Sequence, residues 1–194
     1  MLGCDYTEST VYNFHNKCCT NSEKINVLGE YPSDYIENVL TSSSDNKWTE
    51  FFLPEVVDIP KLKPNMEGII EVLSGIEIIS QRVVKTPVVK TTVEGAITGA
   101  TIPNSENTRL TGRKLVVEGL LKQKVIYTAA VEEQSVHTAD FEMPFSAFII
   151  IDGNTPLSQK FSITPYIEDI FVCRLSERSI FKNTTIFIKA SKIC

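Results

Sequence analysis

The chain has 194 residues, of which 19 are Lys or Arg and 24 Asp or Glu, for a formal net charge of −5. That length suits one ordinary domain with a tail, and an acidic chain without a dense Lys/Arg stripe argues against a nucleic-acid binder. The longest apolar run, Ala147-Phe148-Ile149-Ile150-Ile151, is strand-sized and far from the roughly 20 residues that cross a bilayer.

Residues 1–47 are polar and rich in Ser, Thr, Asn and Asp, and Thr41 to Lys47 has the composition of a linker. Within this stretch Ile25 to Tyr31 suits one short strand, but there are too few apolar residues for a separate core. The reading is an extended N-terminal arm, with a domain over 48–194. Met1-Leu2-Gly3-Cys4-Asp5 has no basic region followed by an apolar one, so no secretory signal peptide is expected.

The arm carries three of the five cysteines, Cys4, Cys18 and Cys19, and Cys194 is the last residue. An odd total with thiols near both ends points to pairing between chains. Thiols at flexible ends can reach a neighbour without meeting the strict distances a disulfide needs inside a packed domain. Two other readings stay open. The thiols can remain free, or Cys4, His15, Cys18 and Cys19 can form a Cys3His zinc site. Adjacent Cys18 and Cys19 cannot easily both face one ion, which weighs against the metal. Cys173 lies in the apolar run Ile170 to Arg174 and reads as a small buried hydrophobe.

From Trp48 the character changes. Two prolines, Pro60 and Pro64, follow the stretch Trp48 to Ile59. Asn65 to Leu73 has apolar residues at 66, 69, 70 and 73, the spacing of a short amphipathic helix with Pro64 and Asn65 as its start. Strand patterns follow at Glu77–Val84 and Pro87–Gly95, then a turn-rich interval at Gly99–Gly112. Lys114 to Ala129 reads as one long strand with a bend at Gly119. Gln134 to Ile151 suggests two strands interrupted by Pro144, and Lys160–Arg174 and Ser179–Lys192 each alternate. Val93-Glu94-Gly95-Ala96-Ile97 and Val117-Glu118-Gly119-Leu120-Leu121 share a pattern that would suit paired strands of one sheet. Many strands and one short helix predict a mostly β domain, an antiparallel sandwich or barrel.

The residue types that carry catalysis are sparse. His137 sits in a polar strand-like segment and reads as a surface histidine. There is no Gly-x-Ser-x-Gly elbow and no phosphate-cradling Gly-x-x-x-x-Gly-Lys-Ser/Thr loop. Glu132-Glu133 and Asp140/Glu142 read as solvated strand faces rather than a glycosidase pair. No enzyme activity and no cofactor are expected.

Trp48, Ile59-Pro60 and Lys63-Pro64 resemble the opening of a SPOCS domain. Val117-Glu118-Gly119, Ile126-Tyr127, Met143-Pro144-Phe145-Ser146, Tyr166-Ile167-Glu168-Asp169-Ile170 and Arg178-Ser179-Ile180 follow in the order that family shows. The resemblance covers about residues 48–192 and implies a binding and assembly protein of the spore envelope of endospore-forming bacteria, chiefly clostridia. In that family one architecture adds a peptidoglycan-binding LysM module and engages a spore-coat ATPase; here a cysteine-bearing arm stands instead. The resemblance therefore leads to the expectation of a self-assembling spore-surface protein made in the mother cell. Its partners would be copies of itself and other spore-coat proteins, with neither nucleic acid nor membrane involved. An adaptor that recruits another coat protein is the alternative.

Overall fold

Two strands with regular alternation set the centre of the molecule. In β6 (Thr111–Ala129) the odd-numbered residues from Leu115 to Ala129 are all buried, and in β9 (Ser179–Lys192) the even-numbered residues from Ile180 to Ala190 are buried. Successive strand side chains point to opposite faces, so each strand presents one continuous row to the interior. These rows face each other: Leu115 and Val117 of β6 pack in one cluster with Ile186, Ile188 and Ala190 of β9. Full burial of each such aliphatic side chain contributes about 1.5–3 kcal/mol.

The computed structural model describes residues 25–41, 47–93, 96–101 and 109–193. The remaining elements are β1 (Asn26–Leu28), α1 (Ser33–Thr41), β2 (Lys47–Asp58), β3 (Met66–Val88), β4 (Lys90–Val93), β5 (Ala96–Thr101), β7 (Val136–Ile150) and β8 (Phe161–Arg174). One sheet has the order β1-β3-β6-β7 and the other β2-β9-β8, while β4 and β5 pair with each other. The long strands β3, β6 and β7 pair antiparallel, as do β2, β9 and β8. With β2 against β7 and β3 against β8, the two sheets make the expected β-sandwich.

The helix expected at Asn65–Leu73 is strand instead. The pattern there misleads because β3 opens with register shifts between Met66 and Gly68 and between Ile69 and Glu71. Each bulge adds a residue to one strand, so the inward residues become Met66, Ile69 and Val72, all 5% exposed or less. Spacings of three then imitate a helix. The one described helix is α1, within the expected arm. Its Ile36, Val39 and Leu40 pack on Tyr166 and Phe187, which makes it an amphipathic cover for the outer face of β8 and β9.

Residues of the 25–41 segment, within the stretch read as an arm, pack on the sheets. β1 pairs parallel with β3, Asn26 opposite Glu71. Just beyond it Glu30 bridges to Ile167 of β8, the Tyr31 N–H donates to the Ile167 carbonyl at 2.8 Å, and the Ile170 N–H donates to the Glu30 carboxylate at 2.8 Å. One short segment joins the two sheets along the β3/β8 side. Gly29 makes the crossing possible: its φ is 113°, and a Cβ there would sit on the Ser74 carbonyl.

Two further expectations are corrected by the pairing. Val136–Ile150 is one strand through Pro144, because β7 is an edge strand, where a missing N–H costs no ladder bond. The two Val-Glu-Gly segments are not neighbours: Val93 pairs with Ala96 in the β4–β5 hairpin, and Val117 of β6 pairs with Gln81 of β3.

Candidate functional site

Three features are arranged around the sandwich: a clamp at one end, an apolar outer face, and a polar cluster within the core.

The clamp joins motif residues that lie far apart in sequence. The β8–β9 turn is shaped by Ser176, whose hydroxyl accepts from the N–H groups of Arg178 at 3.1 Å and Ser179 at 3.0 Å. That turn aims Arg178 at the loop between β2 and β3. Its guanidinium donates to the carbonyls of Ile59 at 2.8 Å, Pro60 at 2.7 Å and Lys63 at 3.2 Å, and to the Asn65 side-chain oxygen at 2.6 Å. Backbone bonds from Ile59 N–H to Arg178 O and from Met66 N–H to Glu177 O, each 2.7 Å, complete the contact. A planar, always-charged fork with five donors suits several loop carbonyls as no other side chain does. Ile59-Pro60, Lys63-Pro64 and Arg178-Ser179-Ile180 are therefore two sides of one contact.

The outer face of the β2-β9-β8 sheet is aromatic. Under and beside α1, Tyr166 meets Tyr31 edge-on at 5.1 Å and Phe187 at 6.1 Å, and Trp48 lies 5.4 Å from Phe187. Further along, Phe52 (66% exposed), Val56 and Phe171 remain open to solvent. Glu168, at the register shift in β8, faces Glu50; burial, and then the nearby Glu50 carboxylate, push its pKa up. Cys173, in register with Phe181 on this face, is buried as expected. It is also disulfide-bonded, which the reading as a simple apolar filler does not anticipate. Cys4, His15, Cys18, Cys19 and Cys194 lie outside the described residues. Among the described residues no group of three His, Cys, Asp or Glu is placed to hold a metal ion. His137 stacks on Tyr127 at 5.9 Å and meets the Ser135 hydroxyl at 3.1 Å.

The core cluster escaped the sequence reading. Lys182 is fully buried, and Glu55 and Gln123 are 5% and 3% exposed. Glu55 of β2 and Lys182 of β9 are cross-strand neighbours, as are Gln123 of β6 and Phe141 of β7 in the opposite sheet. Across the core the Lys182 ammonium donates to the Gln123 side-chain oxygen. It lies 3.2 Å from Glu55 Oε1 and 4.9 Å from the centre of the Phe141 ring. The Gln123 amide nitrogen donates to Thr184 Oγ1 at 3.4 Å. Glu55 Oε1 has no hydrogen-bond donor beyond the Lys182 ammonium itself. Burial pulls the Lys182 pKa down, and Glu55 only partly offsets this. Taking such a pair out of water costs several kcal/mol per ion. The signal was present: Phe51, Leu53, Glu55 and Val57 share one strand face, as do Leu121, Gln123 and Val125, and Ile180, Lys182, Thr184 and Ile186. A polar residue inside each apolar row marks the site.

Residues 92–174 match the SPOCS domain of the SipL family. No curated protein and no solved structure matches the chain. The matched stretch runs from β4 into the last residue of β8 and includes Val117-Glu118-Gly119, Met143-Pro144-Phe145-Ser146 and Tyr166 to Ile170. Over residues 92–174, then, this chain is similar to the SPOCS domain family, the one its motifs resemble.

Proposed function

We propose that the protein is a structural, self-assembling component of the bacterial spore surface. The observation that carries this reading is the SPOCS match over residues 92–174, a domain whose family relates it to sporulation. The sandwich is the building block, and copies join through the N-terminal stretch ahead of β1 and through disulfides drawn from those of Cys4, Cys18, Cys19 and Cys194 that are not bonded to Cys173. With Cys173 in a disulfide, three of the five cysteines remain, an odd number that cannot all pair within one chain, which supports bonds between chains. A heterologous contact of this kind propagates into fibres or sheets unless its rotation closes. No enzyme activity, nucleic acid, membrane or cofactor enters this role.

A second reading, an adaptor that recruits another spore-coat protein, is favoured by one feature. The strands at the sheet edges carry Pro54 in β2, Pro144 in β7 and Pro165 in β8. Prolines on edges oppose strand addition, whereas Phe52, Val56 and Phe171 offer a face for docking. Electron microscopy of the purified full chain, with and without reductant, separates the two. Ordered polymers that loosen on reduction support self-assembly. A monodisperse monomer under oxidising conditions sinks it and leaves the adaptor.

A further inference from the structure

The Lys182–Glu55–Gln123 cluster has a composition that a structural ion pair does not need. An ammonium and a carboxylate would satisfy each other; here the lysine nitrogen, paired with Glu55 at 3.2 Å, also sits against a primary carboxamide from the opposite sheet. All three side chains are more than nine-tenths buried, so water does not compete for them. We propose that Lys182 and Gln123 become joined by an isopeptide bond across the core, with Glu55 as the group that moves the protons.

The atoms balance without an oxidant or any co-reactant. Glu55 takes a proton from the Lys182 ammonium and leaves a neutral amine. The amine lone pair attacks Cδ of Gln123 and forms the new N–C bond. Glu55 returns its proton to the Gln123 nitrogen and accepts the surplus one from the lysine nitrogen. The old C–N bond breaks, and ammonia leaves with that bond's electron pair and takes up the proton that Glu55 holds, which restores the carboxylate. Lysine ammonium and glutamine carboxamide become a secondary amide and an ammonium ion.

Each part of this step has a counterpart in the geometry. The Glu55 oxygen nearest Lys182, at 3.2 Å, has no competing hydrogen-bond donor, so it is placed to take the proton from that ammonium. Thr184 holds the amide nitrogen of Gln123, which leaves the amide oxygen side turned to the lysine. Phe141 walls the amine. Burial, which lowers the lysine pKa, favours the neutral nucleophile. The product ties β6 in one sheet to β9 in the other, and so pins the two layers of a domain read as a building block of a resistant shell. The proposal itself rests on the core geometry alone and survives if the spore-surface reading fails.

The test is the intact mass of the folded full chain, measured after reduction and denaturation. The expected mass is lower than that of the sequence by one ammonia. Trypsin adds the location: Lys122 and Lys124 flank Gln123, so the dipeptide Gln123-Lys124 should appear as a branch on an uncut Ser179–Lys189 peptide. Glu55→Gln should restore the full mass, as should Lys182→Met. If the Glu55 variant does not fold, the double variant Glu55→Gln with Lys182→Met removes both charges from the core and serves as the unlinked control. Full sequence mass in the folded wild type overturns the proposal. So does loss of one water with Lys182 joined to Glu55, or a deficit that persists in Lys182→Met.

Discussion

Replacing Arg178 tests whether the end clamp holds the β2–β3 loop as the hydrogen bonds suggest. Arg178→Ala removes a guanidinium that donates to four acceptors, three carbonyls and the Asn65 side chain, at 2.6–3.2 Å. Hydrogen bonds to a charged group are each worth about 1.5–3 kcal/mol. The site is only half-buried, however, and water can replace part of what is lost. A net cost of about 2–4 kcal/mol follows, from the lower end of that range and without adding the four bonds. For a chain of this size about 2–4 °C of melting temperature accompanies each kcal/mol, so the melting point should fall by roughly 5–15 °C. Arg178→Lys keeps the charge but not the planar fork, and should recover less than half of the loss. Thermal melts followed by circular dichroism supply the numbers. Amide exchange at Lys63, whose N–H donates to Pro60 O at 2.8 Å, reports the loop directly. A melting point for Arg178→Ala within about 2 °C of wild type, close to 0.5–1 kcal/mol, would refute the clamp.

Other consequences are open to measurement. Gly119→Ala places a Cβ 2.7 Å from the Glu77 carbonyl oxygen and 2.5 Å from Phe145 Cζ; overpacking of this kind should cost about 1–3 kcal/mol, and unchanged denaturant stability would show that β3 and β6 are less closely apposed. Glu168 has its pKa raised by burial and by Glu50, so the folded state binds that proton more tightly than the unfolded chain. Its stabilising effect is complete below the unfolded carboxyl value of about 4.3 and is lost as pH rises through the folded one. Glu168→Gln should therefore melt higher than wild type at neutral pH and lose that advantage in acid; parallel curves would contradict the pairing. Replacing Phe52, Val56 and Phe171 together with Ser or Thr should leave the melting point nearly unchanged, since exposed positions contribute within about 0.5 kcal/mol each. The same variant should weaken whatever assembly or recruitment light scattering detects, and unimpaired association would remove this face from the interface.

The sandwich was legible in the chain wherever burial is one-sided and regular. β6 and β9 lie at the centres of their sheets, and their inward rows of Leu, Val and Ile alternate over many residues, so period alone names the strands and their core faces. The same alternation held for β2. Regularity failed where the backbone does. The bulged start of β3 moved inward positions to a spacing of three and read as helix, while α1, with only Ile36 fully buried, was too short a signal within a polar stretch.

The candidate sites were hidden for a different reason. Hydrophobic periodicity is a local property, and it reports which side of a strand faces inward without saying what lies opposite. Arg178 lies 119 residues along the chain from Ile59, and nothing in either segment names the other. Glu55, Gln123 and Lys182 each look like a flaw in an apolar row. Only the stacking of one sheet on the other turns three flaws into a cluster, because charge and hydrogen-bond complementarity are satisfied across the core and not along a strand. Composition and alternation thus established a mostly β domain and its inward faces, whereas the pairing of sheets decided which polar groups meet and what they can do together.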